Sequence, residues 1–100
     1  MITTRVGFGY DMHKLEEGSY IMLGGIRIDS NHTVVAHSDG DIVLHSLSDA
    51  IYGSLAAGDI GTHFPSNKEN INIQSVKILK HACELITPVS YTHLRAHETS

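Results

Sequence analysis

Apolar residues alternate with small or polar ones in the first part of the chain, which indicates β-strands. Residues 4–10 predict a first strand and residues 20–23 a second. Gly24-Gly25 follows, and because glycine adopts the positive φ angles of a tight turn, we expect the chain to return antiparallel over residues 26–28. Residues 30–32 are polar and are predicted to form a loop. The pattern therefore predicts an N-terminal β-hairpin.

Apolar spacings of three and four residues then predict a helix from Asp41 to Ala57 that ends at Gly58. Either Ser38 or Asp39 is expected to cap its N-terminus. The stripe predicted to pack on a sheet consists of Val43, Leu44, Leu47, Ile51 and Leu55.

A loop rich in glycine and proline spans residues 58–68, and loops of this length are often lids or binding loops, although a plain connector is the alternative. A second amphipathic helix is predicted from Asn72 to Ile86, with Val76, Leu79 and Cys83 on its apolar side. The fold class predicted from these elements is α+β.

Three side chains of the chain are candidates for a metal site. Asp11 and His13 are two residues apart in an extended segment where the first predicted strand ends, so both side chains are expected to point to the same side. If His45 approaches from the first helix, one carboxylate and two imidazoles form the set, and a fourth position is left for water or substrate, as in catalytic zinc sites. The alternative is that each histidine is an ordinary surface or hydrogen-bonded core residue.

Asp49 lies one helical turn after His45. Its carboxylate could accept a hydrogen bond from the second imidazole nitrogen of His45 and so fix the tautomer of a metal ligand. The alternative is an ordinary exposed helix carboxylate, which spacing alone favours.

Composition limits the possible functions. The chain has 100 residues and a formal net charge of -4, so it offers no basic surface for nucleic acid, although a bound metal would allow a small anionic substrate. Cys83 is its single cysteine, which excludes a disulfide framework, and no apolar run approaches the length of a membrane span. The N-terminus does not resemble a signal peptide. Because so short a chain makes a poor deep active site, we expect a partner subunit or further sequence.

Several short blocks of residues together indicate a family. They are Gly9-Tyr10-Asp11-Met12-His13, Leu23-Gly24-Gly25, Ala36-His37-Ser38-Asp39-Gly40-Asp41, Leu44-His45, Asp49-Ala50, and Gly58-Asp59-Ile60-Gly61 with Phe64-Pro65. In order and spacing they resemble the 2-C-methyl-D-erythritol 2,4-cyclodiphosphate synthases of the non-mevalonate isoprenoid pathway, over roughly residues 2–86. Tyr10 departs from the phenylalanine that is frequent in that family.

The resemblance implies a reaction and roles for individual residues. Such enzymes convert 4-diphosphocytidyl-2-C-methyl-D-erythritol 2-phosphate to the cyclodiphosphate and release CMP. By resemblance, Asp11, His13 and His45 are the Zn²⁺ ligands and His37 is the catalytic residue that steadies the transition state. The residues implied in substrate binding are Asp11, Met12, His13, His37, Ser38, Asp59, Ile60, Gly61, Phe64, Pro65, Ser66, Asn67 and Lys68.

The same resemblance implies an assembly and a second metal. The family packs its hairpin and helices on a mixed sheet and forms a homotrimer with active sites between subunits, as a cytoplasmic bacterial enzyme without nucleic-acid or membrane partners. A second divalent ion, Mg²⁺ or Mn²⁺, accompanies the substrate diphosphate. Its protein ligand is a glutamate in the C-terminal strands, which this chain lacks.

We interpret residues 1–86 as the N-terminal part of a single cyclodiphosphate synthase domain and residues 87–100 as a non-native tail that resembles translated adapter read-through. His93 and His97 are then not ligands, although a helical histidine pair is the alternative. Alone, this fragment is expected to be inactive. Two other functions remain open, a non-catalytic metal-binding fragment and a zinc phosphohydrolase that uses a metal-bound water.

Overall fold

A computed structural model describes residues 4–36, 38–65 and 73–86 of the chain. Its strands are β1 Lys14–Glu17, β2 Tyr20–Leu23, β3 Ile26–Asp29 and β4 His32–Val35, and its helices are α1 Ile42–Ser54, α2 Ile60–His63 and α3 Ser75–Glu84. The predicted α+β class with an N-terminal hairpin is confirmed. All four strands pair antiparallel, so the mixed sheet of the family would need strands beyond these.

The four strands form one long hairpin around the turn at Gly24 and Gly25, whose φ angles are +64° and +81°. β2 pairs with β3, and β1 pairs with β4 in the same register. Two backbone bonds, from Gly18 N to Asn31 O (3.2 Å) and from Ser30 N to Ser19 O (3.1 Å), join the two ladders. The hairpin is therefore longer than predicted. β1 was missed because its four residues, three of them charged, are all exposed, and His32 begins β4 instead of ending a loop.

Residues 4–10 do not form the predicted strand, because no described strand pairs with them. The period-two pattern nevertheless persists in this segment. Arg5, Gly9, Asp11 and His13 are half-buried. The exposed set, between 63% and 87% accessible, is Val6, Phe8, Tyr10 and Met12. Asp11 and His13 thus share one face, as predicted, without a sheet to hold them.

Close contact with α1 holds this segment. A Cβ atom on Gly9 would overlap the carbonyl oxygen of Ser46, and one on Gly7 would overlap that of Ala50. Only glycine allows the two backbones to approach so closely. This approach carries Asp11 and His13 to the helix that bears His45.

Asp41 caps α1, so the predicted cap at Ser38 or Asp39 is wrong. The Asp41 carboxylate accepts hydrogen bonds from Leu44 N (3.0 Å), Gly24 N (2.9 Å) and Gly25 N (2.6 Å). One buried side chain therefore satisfies both the helix N-terminus and the hairpin turn.

The helix ends earlier than Ala57. Ala56 takes a positive φ of 52°, and Ala57 N donates to Tyr52 O at 2.9 Å, which closes the C-terminus after Ser54. The predicted end therefore lies too far along the chain.

The core lies between α1 and α3 and differs from the predicted one. The packed faces of the two helices include fully buried serines, Ser48 in α1 and Ser75 in α3. Hydrophobicity alone does not select these faces. The buried apolar members of the core are Leu44, Tyr52, Leu55, Ile78 and Ala82.

The predicted apolar stripes of the two helices are therefore wrong in part. In α1, Val43 and Leu47 are each 46% exposed. In α3, which spans ten residues, Val76 and Cys83 are exposed and Leu79 is half-buried.

Asp41→Ala in the full-length protein should lower the free energy of unfolding by about 3 kcal/mol, because three backbone amides lose a buried acceptor. Urea unfolding measures this. Asp29→Ala is the matched control, since the Asp29 side chain is 95% exposed and lies 3.9 Å from Arg27 in a surface ion pair. Equal losses for the two variants would contradict the capping role.

Acid should weaken the Asp41 cap. Burial raises the pKa of the Asp41 carboxyl, but the hydrogen bonds from Leu44, Gly25 and Gly24 outweigh it and leave the pKa below the ordinary 3.8. The unfolded chain thus binds this proton more readily than the folded one, so the contribution is complete above the unfolded pKa and is lost as the pH falls through the folded pKa. Unfolding curves at decreasing pH should therefore converge for Asp41→Ala and the unmodified protein.

In the part of the chain that the structure describes, none of the helices has the length and apolar character needed to span a membrane.

Candidate metal site

The side chains of Asp11, His13 and His45 converge at the N-terminal half of α1. Asp11 Oδ2 lies 3.0 Å from His13 Nδ1 and 3.2 Å from His45 Nδ1. The two imidazole centroids are 5.5 Å apart with the rings tilted by 49°. One ligand atom from each residue falls within 4.8 Å of the others, so a single ion could contact all three. The structure thus brings the three predicted ligands together.

The polarity of these atoms favours a cation between them. A carboxylate oxygen accepts only, and a neutral imidazole nitrogen without hydrogen also only accepts, so their close approach is unfavourable unless a proton or metal ion intervenes. His13 Nδ1 is buried and makes no hydrogen bond of acceptable geometry within the described ranges, despite its nearness to Asp11. Two imidazoles and one carboxylate are a ligand set that suits Zn²⁺. The residues present therefore fit a divalent metal.

The other imidazole nitrogen of His45 faces two serine hydroxyls. Ser75 Oγ lies 2.6 Å from His45 Nε2, and Ser38 Oγ lies 3.3 Å from it. Ser75 is fully buried at the start of α3 and is bound in turn by Asp39. His45 therefore contacts the candidate metal position with one nitrogen and a serine pair with the other.

The prediction that Asp49 accepts from His45 is wrong. Its carboxylate instead accepts from Ile60 N at 2.8 Å and so anchors α2 to α1. Burial raises the pKa of the Asp49 carboxyl, and nearby carboxylates add to the rise, although the Ile60 amide bond opposes it. The helical spacing correctly predicts that Asp49 lies near His45. The partner of His45 Nε2, however, is the Ser75 hydroxyl of α3.

Two of the residues implied in substrate binding lie close to the metal candidates in the chain. Ser38 Oγ accepts from Gly40 N at 3.2 Å, which shapes the turn before α1. Met12 is exposed, on the face of the N-terminal segment opposite to Asp11 and His13.

The implied segment Asp59–Gly61 forms the start of α2. Asp59 caps this helix by accepting from the amide and hydroxyl of Thr62, both at 2.9 Å, and these bonds lower the pKa of the Asp59 carboxyl. Ile60 and Gly61 form the first turn of α2.

Phe64 and Pro65 end the described part of the loop. Phe64 is half-buried and packs its ring edge against His81, with centroids 5.3 Å apart, while Pro65 is exposed. His37 and the predicted loop residues Ser66, Asn67 and Lys68 lie outside the described residues, as do Asn72 and the tail with His93 and His97.

Sequence reasoning missed a cluster of aromatic and imidazole rings that is formed by α1, α2 and α3. Tyr52 stacks on His63 with centroids 4.5 Å apart, and its hydroxyl lies 2.7 Å from His81 Nδ1. Burial, together with the Asp49 carboxylate, raises the pKa of Tyr52 to about 12, so the hydroxyl keeps its proton. The cluster joins α1, α2 and α3. Its members come from three separate elements, so local spacing carries no signal for it.

Comparison with known proteins identifies relatives of the chain. A sequence profile of the YgbB family matches residues 4–97, which extends past residue 86, the expected end of the likeness. The 2-C-methyl-D-erythritol 2,4-cyclodiphosphate synthase of Pseudomonas paraeruginosa is 49% identical over 83 residues, covering 82% of this chain and 53% of that protein. That of Fusobacterium nucleatum is 48% identical over 88 residues, covering 87% and 55%.

Solved structures give the same result. A 2C-methyl-D-erythritol-2,4-cyclodiphosphate synthase superposes with a TM-score of 0.76 at 41% identity, covering 82% of this chain and 55% of that one. The CDP complex of Plasmodium falciparum IspF superposes with a TM-score of 0.66 at 44% identity, covering 82% and 49%. The chain thus spans about half the length of the curated relatives that it matches.

Proposed function

The chain belongs to the YgbB family, and from that premise we propose that its full-length protein is a 2-C-methyl-D-erythritol 2,4-cyclodiphosphate synthase. The substrate is 4-diphosphocytidyl-2-C-methyl-D-erythritol 2-phosphate, and the products are the cyclodiphosphate and CMP, so the enzyme is a phosphorus–oxygen lyase. The observation that carries the proposal is the convergence of Asp11, His13 and His45 in a chain whose relatives bear this name.

Asp11, His13 and His45 would hold Zn²⁺. When bound there, the ion supplies positive charge to phosphate oxygens, which neutralises charge that builds up in the transition state. The reaction is intramolecular, because the 2-phosphate oxygen attacks the β-phosphorus of the same molecule. Catalysis therefore depends mainly on positioning and charge neutralisation.

The protein groups around the metal orient the substrate. Ser38 stands beside the His45 ring, at the turn that precedes α1. The Asp59–Gly61 segment is held against α1 by the bond from Ile60 N to Asp49, which suits it to fix the methylerythritol part. The CDP complex of the related Plasmodium falciparum IspF structure supports a cytidine nucleotide as ligand.

The remaining features follow the family. We propose a homotrimer in the bacterial cytoplasm, with active sites between subunits and a second divalent ion, Mg²⁺ or Mn²⁺, at the substrate diphosphate. Because this chain spans about half of its relatives, the 100-residue polypeptide itself is proposed to be inactive. Residues 87–100 are proposed to be a non-native tail, a proposal against which the profile match to residue 97 stands.

His37 should act on substrate phosphate and not on zinc, because the family resemblance gives it that role and the candidate ligand set of Asp11, His13 and His45 forms without it. In the full-length protein, His37→Ala should slow CMP release by about a hundredfold while zinc content stays unchanged. Metal analysis and a CMP-release assay on the same preparation measure both. If zinc and activity fall together, the roles assigned to His37 and His45 are exchanged.

Product analysis tests the reaction. A cyclase releases CMP together with a cyclic diphosphate, whereas a zinc phosphohydrolase would release inorganic phosphate. Zinc binding without turnover would favour a metal-binding protein that is not an enzyme. The substrate and the full-length protein suffice, with phosphorus NMR to identify the products.

A further inference from the structure

We propose that Ser75 and Asp39 are positioning residues that keep the proton of His45 on Nε2, so that Nδ1 is bare for a divalent cation. The inference rests on the proposed function, because it concerns the ligand set of that metal site. It assigns a role to two residues that no local pattern marks as partners of His45.

The direction of each hydrogen bond among Asp39, Ser75 and His45 follows from the number of hydrogens that these side chains can donate. The Asp39 carboxylate accepts three hydrogen bonds, from Asp41 N (3.2 Å), Ser75 N (3.0 Å) and the Ser75 hydroxyl, which makes a very short contact. An ionised carboxylate can only accept, so the single hydroxyl hydrogen of Ser75 points to Asp39. Ser75 Oγ then has only lone pairs to offer on its other side.

Those lone pairs face His45 Nε2 at 2.6 Å, so this nitrogen must carry the hydrogen and donate it. In a neutral imidazole the other nitrogen is then bare. That nitrogen, Nδ1, is the one that lies 3.2 Å from Asp11 Oδ2. The relay from Asp39 through Ser75 therefore selects the tautomer in which His45 can coordinate an ion.

The elements that carry the relay hold it in place. Ser75 is completely buried at the first turn of α3, His45 is 8% exposed on α1, and Asp39 lies in the turn that precedes α1. Ser38 Oγ, at 3.3 Å from His45 Nε2, is a weaker acceptor on the same side. The ring is thus held between two helices, and its bare nitrogen faces the other two ligands.

The Ser75→Ala variant distinguishes the positioning role of the Ser75 hydroxyl from the structural role of Ser75 at the start of α3. The backbone amide of Ser75 still donates to Asp39, so the anchor at the start of α3 remains while the relay is broken. Ser54→Ala is the matched control, because the Ser54 hydroxyl donates to Ile51 O of its own helix at 2.8 Å. Ser75→Thr keeps the hydroxyl and should restore the function.

The first measurement is zinc affinity in the full-length protein, by competition with a chelating dye. Ser75→Ala should bind zinc about tenfold or more weakly, as is usual when a partner of a metal-ligating histidine is removed. Ser54→Ala and Ser75→Thr should bind like the unmodified protein. Equal affinity of Ser75→Ala and Ser54→Ala would overturn the proposal.

The second measurement reads the tautomer without metal. Nitrogen NMR of the metal-free protein at about pH 8.5, where a free imidazole is neutral, should show the His45 proton on Nε2. In Ser75→Ala it should move toward Nδ1, where Asp11 accepts it. An unchanged tautomer overturns the relay even if zinc binds, whereas the expected change without any zinc binding would support the relay and refute only the metal function.

Discussion

His45→Ala is expected to abolish both zinc binding and CMP release in the full-length protein. His45 is the only one of the three ligands that comes from α1, and its Nδ1 and His13 Nδ1 both approach the same oxygen of Asp11. Loss of one of three protein ligands leaves too few to hold the ion. Elemental analysis should fall from about one zinc per chain to background, and activity should fall by about a hundredfold or more.

His32→Ala provides the matched control. His32 is an exposed residue at the start of β4, and its replacement should change neither zinc content nor turnover. Circular dichroism and sedimentation should show that His45→Ala is still folded and assembled, so that the loss of zinc reports on ligation. Stoichiometric zinc in a folded His45→Ala protein would refute the ligand assignment.

The pairing of two candidate metal ligands could be predicted from local pattern, and the partners of the third could not. Asp11 and His13 share a face because of the period of an extended chain, which holds here even without a paired strand. Periodicity also predicts the helix that carries His45, and the family resemblance adds its approach to the other two residues. Ser75, by contrast, is separated from His45 by 30 positions, and only the packing of α3 on α1 brings the two together. Tertiary contacts of this kind leave no mark in local spacing.

The difference between local pattern and tertiary contact also explains the errors in the predicted fold. Several polar candidates precede α1, and Asp41 is its cap because its carboxylate also reaches the amides of Gly24 and Gly25. The predicted apolar stripe failed at Val43 and Leu47 because helix packing follows the face with Ser48 and Tyr52. Hydrophobic periodicity locates a helix, but it does not say which neighbours the chain provides for each face.

The 100-residue polypeptide, expressed as it stands, is expected to aggregate or remain unstable, to form no trimer and to release no CMP. Large apolar side chains stay exposed on α1, on α3 and on the N-terminal segment. Leu47 is 46% exposed, Val76 53% and Phe8 84%. The free energy gained by burying so little apolar surface does not offset the conformational entropy that the chain loses on folding. Among the described residues, the buried apolar side chains are few, namely Leu44, Tyr52, Leu55, Ile78 and Ala82.

Two further polypeptides distinguish two causes of the expected instability, the tail and the lack of the C-terminal part that the relatives have. Residues 1–86 alone should behave as poorly as the whole polypeptide, because removing the tail does not cover Leu47 or Val76. Residues 1–86 joined to the C-terminal segment of a relative should form a trimer, bind zinc and release CMP. Sedimentation and a CMP-release assay compare the three chains. A folded, active trimer of the unmodified polypeptide would contradict the argument from exposed apolar surface, and a stable chain of residues 1–86 would assign the instability to the tail instead.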